Sequence, residues 1–284
     1  MKFYKIETGN LKLDGGAMFG VVPKQMWQRI YPADENNLCN WAMRCLLVVD
    51  GERKILIDTG IGNKQDEKFL RHYHLNGSDT LEKSLAAVGF SFDDITDVVL
   101  THLHFDHAGG AVCKTPSGEL KPTFANATYH VSRAQWLWAT NPNRREKASF
   151  LEENIMPLLE HKKLNIVEFQ TQGELFPNFE IRIFNGHTDG QMIPIINNNG
   201  KKIAYMGDLL PSVAHIPMPY IMSYDTKPLV TLEDKDVFYK EAIQDNITLF
   251  FEHDLYNECC NLQLTERGVS VKSVFALPSN DSNE

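Results

Sequence analysis

The segment THLHFDHAGG at residues 101–110 places three histidines and an aspartate within six positions, directly after the apolar run DVVL. In extended backbone alternate side chains share a face, so His102 and His104 are expected to point the same way. Asp106 and His107 follow a turn, and the small residues at 108–110 allow a tight bend. This cluster at the end of a buried strand predicts a metal site rather than a polar loop.

Three later apolar segments end in the same manner. FEIRIFNGH ends at His187, KIAYMGD ends at Asp208, and ITLFFEH reaches His253. Imidazole and carboxylate groups are the ligands that Zn²⁺ and similar divalent ions take in proteins. We therefore predict seven metal ligands, namely His102, His104, Asp106, His107, His187, Asp208 and His253.

Strand-like and helix-like segments alternate along the chain, which favours a layered α/β protein with several hairpins. The predicted strands are 45–49, 54–60, 97–102, 127–132, 179–186, 192–197, 202–208 and 247–254. Helices are predicted near 79–88, over 133–160 with an interruption at NPN, and over 232–244. Thr231 and Asp234 are spaced as a capping box for the last of these helices.

Length and charge narrow the class of protein. We predict a single domain over residues 1–284, with an extension over 1–40 and a frayed tail over 278–284. The net charge of −9 disfavours a nucleic-acid partner, and the basic run at 143–147 is expected to be a solvated face. The sequence contains no evident signal peptide or membrane-spanning segment, and its five cysteines do not suggest a disulfide framework. These features predict a cytoplasmic protein.

The ordered motifs resemble those of the metallo-β-lactamase superfamily. HxHxDH lies at 102–107, LIDTG at 56–60, GHTDG at 186–190, GD at 207–208 and EHD at 252–254. The resemblance implies a four-layer αβ/βα sandwich with a dinuclear metal site at the edge of the sheets. Members often read GHTPGH at the fourth motif, whereas this chain has Asp189 and Gln191 in place of the proline and the second histidine.

The resemblance also implies a role for each ligand. One ion takes His102, His104 and His187, the other takes Asp106, His107 and His253, and Asp208 bridges the two ions opposite a bridging water. Zn²⁺ is expected, with Mn²⁺, Fe²⁺ and Co²⁺ as alternatives. Asp58 is expected either to orient a ligand histidine or to bind nearby backbone amides, and these two roles are compatible.

Such a site predicts hydroxide attack at a carbonyl or phosphoryl centre, with Asp106 or Asp208 carrying the proton. The segment 207–225 is similar to that of the methyl parathion hydrolase and N-acyl homoserine lactonase group, which implies a small lactone substrate. Phosphotriesters, other esters and thioesters are the alternatives. An iron-dependent redox enzyme and an inactive binding module are the competing classes.

Pocket residues follow from their positions along the chain. Phe105 lies inside the metal motif, while His215, Tyr220 and Tyr224 follow Asp208 and are candidates for contacting the reacting groups. An apolar wall is predicted from Met18, Phe19, Trp27, Trp136 and Trp138. The segment 15–27 is expected to be a loop over the pocket or a contact in a homodimer.

Overall fold

The computed structural model describes residues 1–280. The described chain divides into two compact units. Among the described residues, unit 1 comprises Met1–Asn10, Met43–Phe169 and residues 279–280, and unit 2 comprises Leu11–Ala42 and Gln170–Pro278. Two expectations stay predictions: that the chain forms one domain, and that its layers pack as a four-layer sandwich.

Unit 1 is built on a six-stranded sheet with the order β1-β2-β3-β4-β7-β8. Its strands are β1 Lys2–Asp14, β2 Leu38–Asp50, β3 Arg53–Ile57, β4 Asp97–Val99, β7 Thr128–Ser132 and β8 Leu164–Val167. β3, β4, β7 and β8 run parallel, and β2 pairs antiparallel with β3. A separate hairpin is formed by β5 Val112–Lys114 and β6 Leu120–Pro122.

Unit 2 is built on a seven-stranded sheet with the order β15-β14-β13-β12-β11-β10-β9. Its strands are β9 Gln172–Phe176, β10 Phe179–Phe184, β11 Gln191–Asn198, β12 Lys201–Tyr205, β13 Thr248–Phe250, β14 Cys259–Thr265 and β15 Gly268–Phe275. Adjacent strands are antiparallel except β12 and β13, which are parallel.

Helices connect these strands. They are α1 Gly15–Phe19, α2 Lys24–Trp27, α3 Glu67–Leu70, α4 Leu81–Ala87, α5 Phe105–Ala108, α6 Arg133–Thr140, α7 Glu152–Glu160 and α8 Pro228–Gln244, with 3₁₀ turns at Arg71–Tyr73, Phe92–Asp94, Gly109–Ala111 and Val213–His215. Among the described residues, no helix combines the length and apolar character needed to cross a lipid bilayer.

Each sheet buries one face against helices of its own unit. In unit 1, Leu56 and Val98 on the sheet share a core with Leu158 on α7. In unit 2, Ile193 on β11 shares a core with Phe238 on α8. Full burial of one such side chain contributes roughly 1.5–3 kcal/mol, so these two cores hold the strand ends in place.

The predicted elements are present, with one correction at a helix start. All eight predicted strands overlap observed strands, and the segment 133–160 divides into α6 and α7. The capping box predicted from Thr231 and Asp234 is wrong because α8 begins at Pro228, and both residues lie inside the helix. Their side chains bond other parts of unit 2 instead.

The first and last residues that the structure describes meet on β1. The Asn280 side chain accepts a hydrogen bond from the Phe3 amide (2.8 Å) and donates one to the Phe3 carbonyl (2.9 Å). The predicted frayed tail therefore does not include Asn280, and residues 281–284 lie outside the described part. The predicted extension over 1–40 contains β1, α1, α2 and the start of β2, and its role as a loop over the pocket or a dimer contact stays a prediction.

Candidate metal centre

Parallel strands deliver the donors of unit 1 to one sheet edge. Ile57 on β3 is opposite Val99 on β4. Asp58 follows Ile57 directly, and His102 lies three residues beyond Val99. Because neighbouring parallel strands end at the same edge, the polar residues that follow them meet there.

Close backbone packing fixes the loop that carries HxHxDH. A Cβ atom at Gly109 would lie 2.0 Å from the carbonyl oxygen of Ile61. A Cβ atom at Gly110 would lie 2.2 Å from the carbonyl oxygen of Thr59. The Gly110 amide donates to the Gly60 carbonyl at 2.9 Å. The predicted need for small residues after the motif is therefore confirmed.

In unit 2, as in unit 1, the donors follow strands that run in the same direction. β12 and β13 are parallel, and β10 runs the same way because two antiparallel pairings relate it to β12. His187, Asp208 and His253 lie three residues beyond the strand ends at Phe184, Tyr205 and Phe250. Asp208 Oδ2 lies 3.1 Å from His187 Nε2, and its Oδ1 lies 3.2 Å from His253 Nε2.

Hydrogen bonds define the protonated nitrogen of each histidine in unit 1. Thr101 Oγ1 donates to Asp58 Oδ2 at 2.7 Å, so it accepts the Nδ1 proton of His102 at 3.0 Å. His107 Nδ1 donates to Asp58 Oδ2 at 3.1 Å. In His104 the roles of the two ring nitrogens are exchanged, because Nε2 is the nitrogen that donates, to Glu146 Oε1 at 3.1 Å. A metal ligand lone pair thus remains on Nε2 of His102 and His107 and on Nδ1 of His104.

Asp58 performs both of the roles expected for it. It is fully buried, at a positive φ of 57° that aspartate tolerates better than most residues. Its Oδ1 accepts the Thr101 amide at 2.7 Å, and its Oδ2 accepts the Thr101 hydroxyl and the His107 ring. One carboxylate therefore orients His107 directly and His102 through Thr101.

The histidines of unit 2 are held in the same way. His187 Nδ1 donates to Asp225 Oδ1 at 2.8 Å, and the Thr231 hydroxyl donates to Asp225 Oδ2 at 2.8 Å. His253 Nδ1 donates to the Ala42 carbonyl at 2.8 Å. Both rings consequently direct an Nε2 lone pair toward Asp208.

This arrangement calls for a positive charge beside Asp208. A histidine lone pair and a carboxylate oxygen repel each other unless a proton or a metal ion lies between them. Burial alone lowers the pKa of His187, but Asp208 and Asp225 outweigh burial and raise that pKa to about 10. The buried nitrogen and oxygen donors therefore fit a divalent metal ion.

Asp225 is one orienting residue that the sequence did not reveal, and Glu146 is another. Glu146 lies in the run expected to be a solvated face, and Arg144, Arg145 and Lys147 are indeed exposed. Glu146 itself is only 3% exposed. Besides His104, it binds Trp138 Nε1 at 2.5 Å and Asn143 Nδ2 at 2.7 Å through Oε2. No sequence pattern connects Glu146 with a histidine 42 positions earlier.

Phe105 lies in an aromatic cluster of unit 1. Its ring centroid is 4.6 Å from that of Tyr73 and 5.4 Å from that of Phe69. Tyr73, which was not predicted, is half-buried, and burial together with the charge of Asp106 raises its pKa to about 12. A protonated phenol therefore lies in the field of Asp106, whose Oδ2 is 3.9 Å from His107 Nε2.

His215 is buried with both ring nitrogens engaged. Its Nδ1 and the Ser212 hydroxyl are 2.8 Å apart, and its Nε2 donates to the Met18 carbonyl at 2.8 Å. Burial lowers its pKa to about 3, so the ring is neutral. Its predicted catalytic role stays a prediction, while its contacts join the segments around residues 18 and 212.

The predicted apolar wall is divided between the units. Met18, Phe19 and Trp27 belong to the core of unit 2, where Phe19 stacks on Trp27 at 5.0 Å and on His215 at 4.7 Å. Trp136 and Trp138 are half-buried residues of unit 1. A single wall formed by all five residues stays a prediction.

The two tyrosines predicted beyond Asp208 differ in exposure. Tyr220 is half-buried, with its ring edge toward Phe19 at 6.2 Å. Tyr224 is 41% exposed. Their predicted contacts with substrate stay predictions.

The departure from GHTPGH has a local explanation. Lys227 Nζ donates to the Asp189 carboxylate. The Thr226 amide binds the His187 carbonyl at 3.0 Å, and the Lys227 amide binds the Gly186 carbonyl at 2.9 Å. An ion pair and two backbone bonds thus hold the loop of His187 against the start of α8, while Gln191 begins β11 as a buried residue.

Comparisons with known proteins agree with this architecture. The family model described as the metallo-beta-lactamase superfamily matches residues 44–239, most of the chain. The chain therefore belongs to the metallo-β-lactamase superfamily.

Relatives with named activities are lactonases. The chain is 27% identical to an N-acyl homoserine lactonase of Bacillus cereus over 170 residues, covering 56% of this chain and 60% of that enzyme. It is 26% identical to an N-acyl homoserine lactonase of Bacillus thuringiensis over 199 residues, covering 66% of this chain and 67% of that enzyme. The chain thus matches about three fifths of the length of the first relative.

Solved structures match over nearly the whole chain. A probable metal-dependent hydrolase from Staphylococcus aureus is 30% identical with a TM-score of 0.87, covering 98% of this chain and 97% of that one. The dizinc quorum-quenching lactonase AidC is 22% identical with a TM-score of 0.79, covering 97% and 95% respectively. At this lower identity the second match shows the fold alone.

Proposed function

We propose that the seven predicted ligands together hold two divalent metal ions, and that the chain is a metal-dependent hydrolase of small ester-like substrates, in the first place lactones. The observation that carries this proposal is the state of the five histidines. Each has one ring nitrogen that donates a hydrogen bond within its own unit, so the neutral ring carries its lone pair on the other nitrogen, where a metal would bind.

Two groups of ligands are proposed, with Asp208 common to both. One ion would be held by His102, His104 and His187, and the other by Asp106, His107 and His253. Asp208 suits a bridging role because each of its oxygens lies beside a different histidine of unit 2. Zn²⁺ is the proposed metal for this nitrogen and oxygen set, with Mn²⁺, Fe²⁺ and Co²⁺ as alternatives.

The chain's own groups would complete the chemistry. When bound, such a pair of ions supplies a hydroxide nucleophile at neutral pH and polarises the oxygen of the substrate. Asp106 or Asp208 would accept the one proton that the hydroxide loses on attack and pass it to the leaving oxygen of the substrate. Tyr73, with a pKa of about 12, would stay protonated at neutral pH and donate a hydrogen bond to the substrate.

The substrate class rests on the relatives and on the apolar surface beside the motif. Both named relatives are N-acyl homoserine lactonases. The rings of Phe69 and Tyr73 pack against Phe105, the residue before Asp106, and form an aromatic cluster beside the metal motif. Such a cluster suits the acyl chain of a neutral lactone.

The proposal is tested by hydrolysis rates on matched substrates. Metal-free protein, before and after Zn²⁺ addition, is assayed with N-hexanoyl homoserine lactone and with a neutral phosphotriester. We expect Zn²⁺-dependent hydrolysis with the lactone as the faster substrate. His253→Asn should reduce that rate sharply, whereas His161→Asn, at an exposed histidine, should not.

Two outcomes would overturn parts of the proposal. A faster rate on the phosphotriester would reassign the substrate while leaving the metal chemistry intact. A lactonase rate that does not depend on added metal would remove the metal-dependent mechanism.

A further inference from the structure

The segment 213–220 is rich in acceptors and poor in donors. It contains Pro217 and Pro219, which have no backbone N–H group, and its own backbone bonds are confined to a short 3₁₀ turn at Val213–His215 and a turn in which the Tyr220 amide donates to the Pro217 carbonyl at 3.0 Å. Its carbonyl groups therefore need donors from elsewhere in the fold, because buried backbone oxygens are almost always hydrogen-bonded.

Lys235 supplies most of these donors from α8. Its side chain is 1% exposed, although lysine is among the residues least often fully buried. Its Nζ lies 2.7 Å from the carbonyl oxygen of His215, 3.0 Å from that of Pro217, 3.3 Å from that of Met218 and 3.2 Å from that of Tyr220. We call these four oxygens the carbonyl cage.

The carbonyl cage replaces the water that a buried ammonium loses. An ammonium group has three protons, so the four oxygens share its donors, and carbonyl dipoles pointing at Nζ offset the cost of removing the charge from water. The Tyr239 hydroxyl, one turn further along α8, donates to the Ile216 carbonyl at 2.6 Å. Five carbonyls of the segment are therefore bound by two side chains of one helix.

The side chains of the same segment contact the region around α1. His215 donates to the Met18 carbonyl and stacks on Phe19, and the Tyr220 ring lies edge-on to Phe19. A displacement of the backbone around Lys235 would therefore move both His215 and Tyr220.

We propose that Lys235 is a positioning residue, whose ammonium group fixes residues 215–220 and thereby the side chains predicted to face the substrate. The effect on catalysis rests on the proposed function, whereas the fixing of the segment does not. Lys235 acts through the carbonyl cage and does not contact the substrate.

Lys235→Ala tests this role because it can be rescued chemically. The substitution removes the atoms of an n-propylammonium ion, so n-propylammonium chloride should refill the carbonyl cage. The assay is run at slightly acidic pH, since burial lowers the pKa of Lys235 to about 7 and the ammonium form must prevail. Lys240→Ala on the same helix, at an exposed lysine, is the matched control.

We expect Lys235→Ala to keep its bound metal, to lose hydrogen-exchange protection in residues 213–223, and to raise the KM for the lactone about tenfold. n-Propylammonium should restore both protection and KM, whereas n-propanol, which has no charge, should not. Lys240→Ala should match the wild type in every measurement.

Unchanged protection and KM in Lys235→Ala would overturn the proposal, as would equal rescue by n-propanol. If Lys235→Ala does not fold, Lys235→Met decides, because it fills the space without donating. If residues 213–223 are then protected from hydrogen exchange as well in Lys235→Met as in the wild type, the role of the ammonium group is refuted. A wild type without lactonase activity would refute the proposed function, while hydrogen exchange would still test the carbonyl cage.

Discussion

Replacing Glu146 by glutamine is expected to weaken metal binding while the chain stays folded. Glu146 accepts from His104 through Oε1 and from Trp138 and Asn143 through Oε2. A glutamine has only one acceptor oxygen. If that oxygen faces Trp138 and Asn143, the NH2 group of the glutamine faces the N–H group at His104 Nε2. Because two donors cannot hydrogen-bond to each other, the His104 proton must move to Nδ1, which is the nitrogen that should bind the metal.

The size of this effect follows from the lost hydrogen bond. A hydrogen bond to a charged group contributes roughly 1.5–3 kcal/mol. Loss of a partner that orients a metal ligand typically reduces affinity by about 10- to 100-fold, which corresponds to about 1.4–2.7 kcal/mol. The two ranges agree, so we expect the dissociation constant of the ion held by His104 to rise by about 10- to 100-fold.

Competition with a chromophoric chelator measures this constant directly, without relying on turnover. Glu160→Gln, at an exposed glutamate of the same unit, is the control for the change of charge. Equal dissociation constants for wild type and Glu146→Gln would refute the assignment of Glu146 as the partner that orients His104.

Three further predictions concern other parts of the site. Asp208→Ala should lose bound metal from both proposed positions on dialysis, and retention of two ions with normal turnover would exclude Asp208 as a bridge. Tyr73→Phe should lower kcat/KM by up to about tenfold with unchanged metal content, because it removes one hydrogen-bond donor. His215 has a folded pKa of about 3 against 6.5 ordinarily, so between these values the unfolded chain binds a proton that the folded chain does not. The unfolding free energy of the metal-free protein should therefore fall by about 2 kcal/mol more between pH 7 and pH 5 than that of His215→Asn, as measured by urea unfolding.

The strand-end donors were predictable because their signal is local. An apolar run followed by histidine or aspartate places the polar group at a sheet edge wherever the strands share a direction. His187, Asp208 and His253 satisfy this condition with the same offset of three residues. Asp58 was predictable for the same reason, since it follows the last residue of β3.

Residues that act across long sequence separations were not predictable in this way. Glu146 reads as part of a charged surface run, and Lys235 reads as an ordinary polar position of a helix. Thr231 and Asp234 matched a local capping pattern, but Asp225 and the amides of Asn185 and Gly186 offered better partners in the folded chain. Tertiary hydrogen bonds outweighed local propensity at each of these positions.

We propose that the seven ligands hold two metal ions in one hydrolytic centre. The most direct test of this proposal is a titration of metal-free protein with Zn²⁺ that follows bound metal and initial lactone hydrolysis in the same samples. We predict saturation at two ions per chain, with activity rising as the second ion binds. Saturation at one ion with full activity, or two bound ions with no hydrolysis of lactone, ester or phosphotriester, would contradict the account.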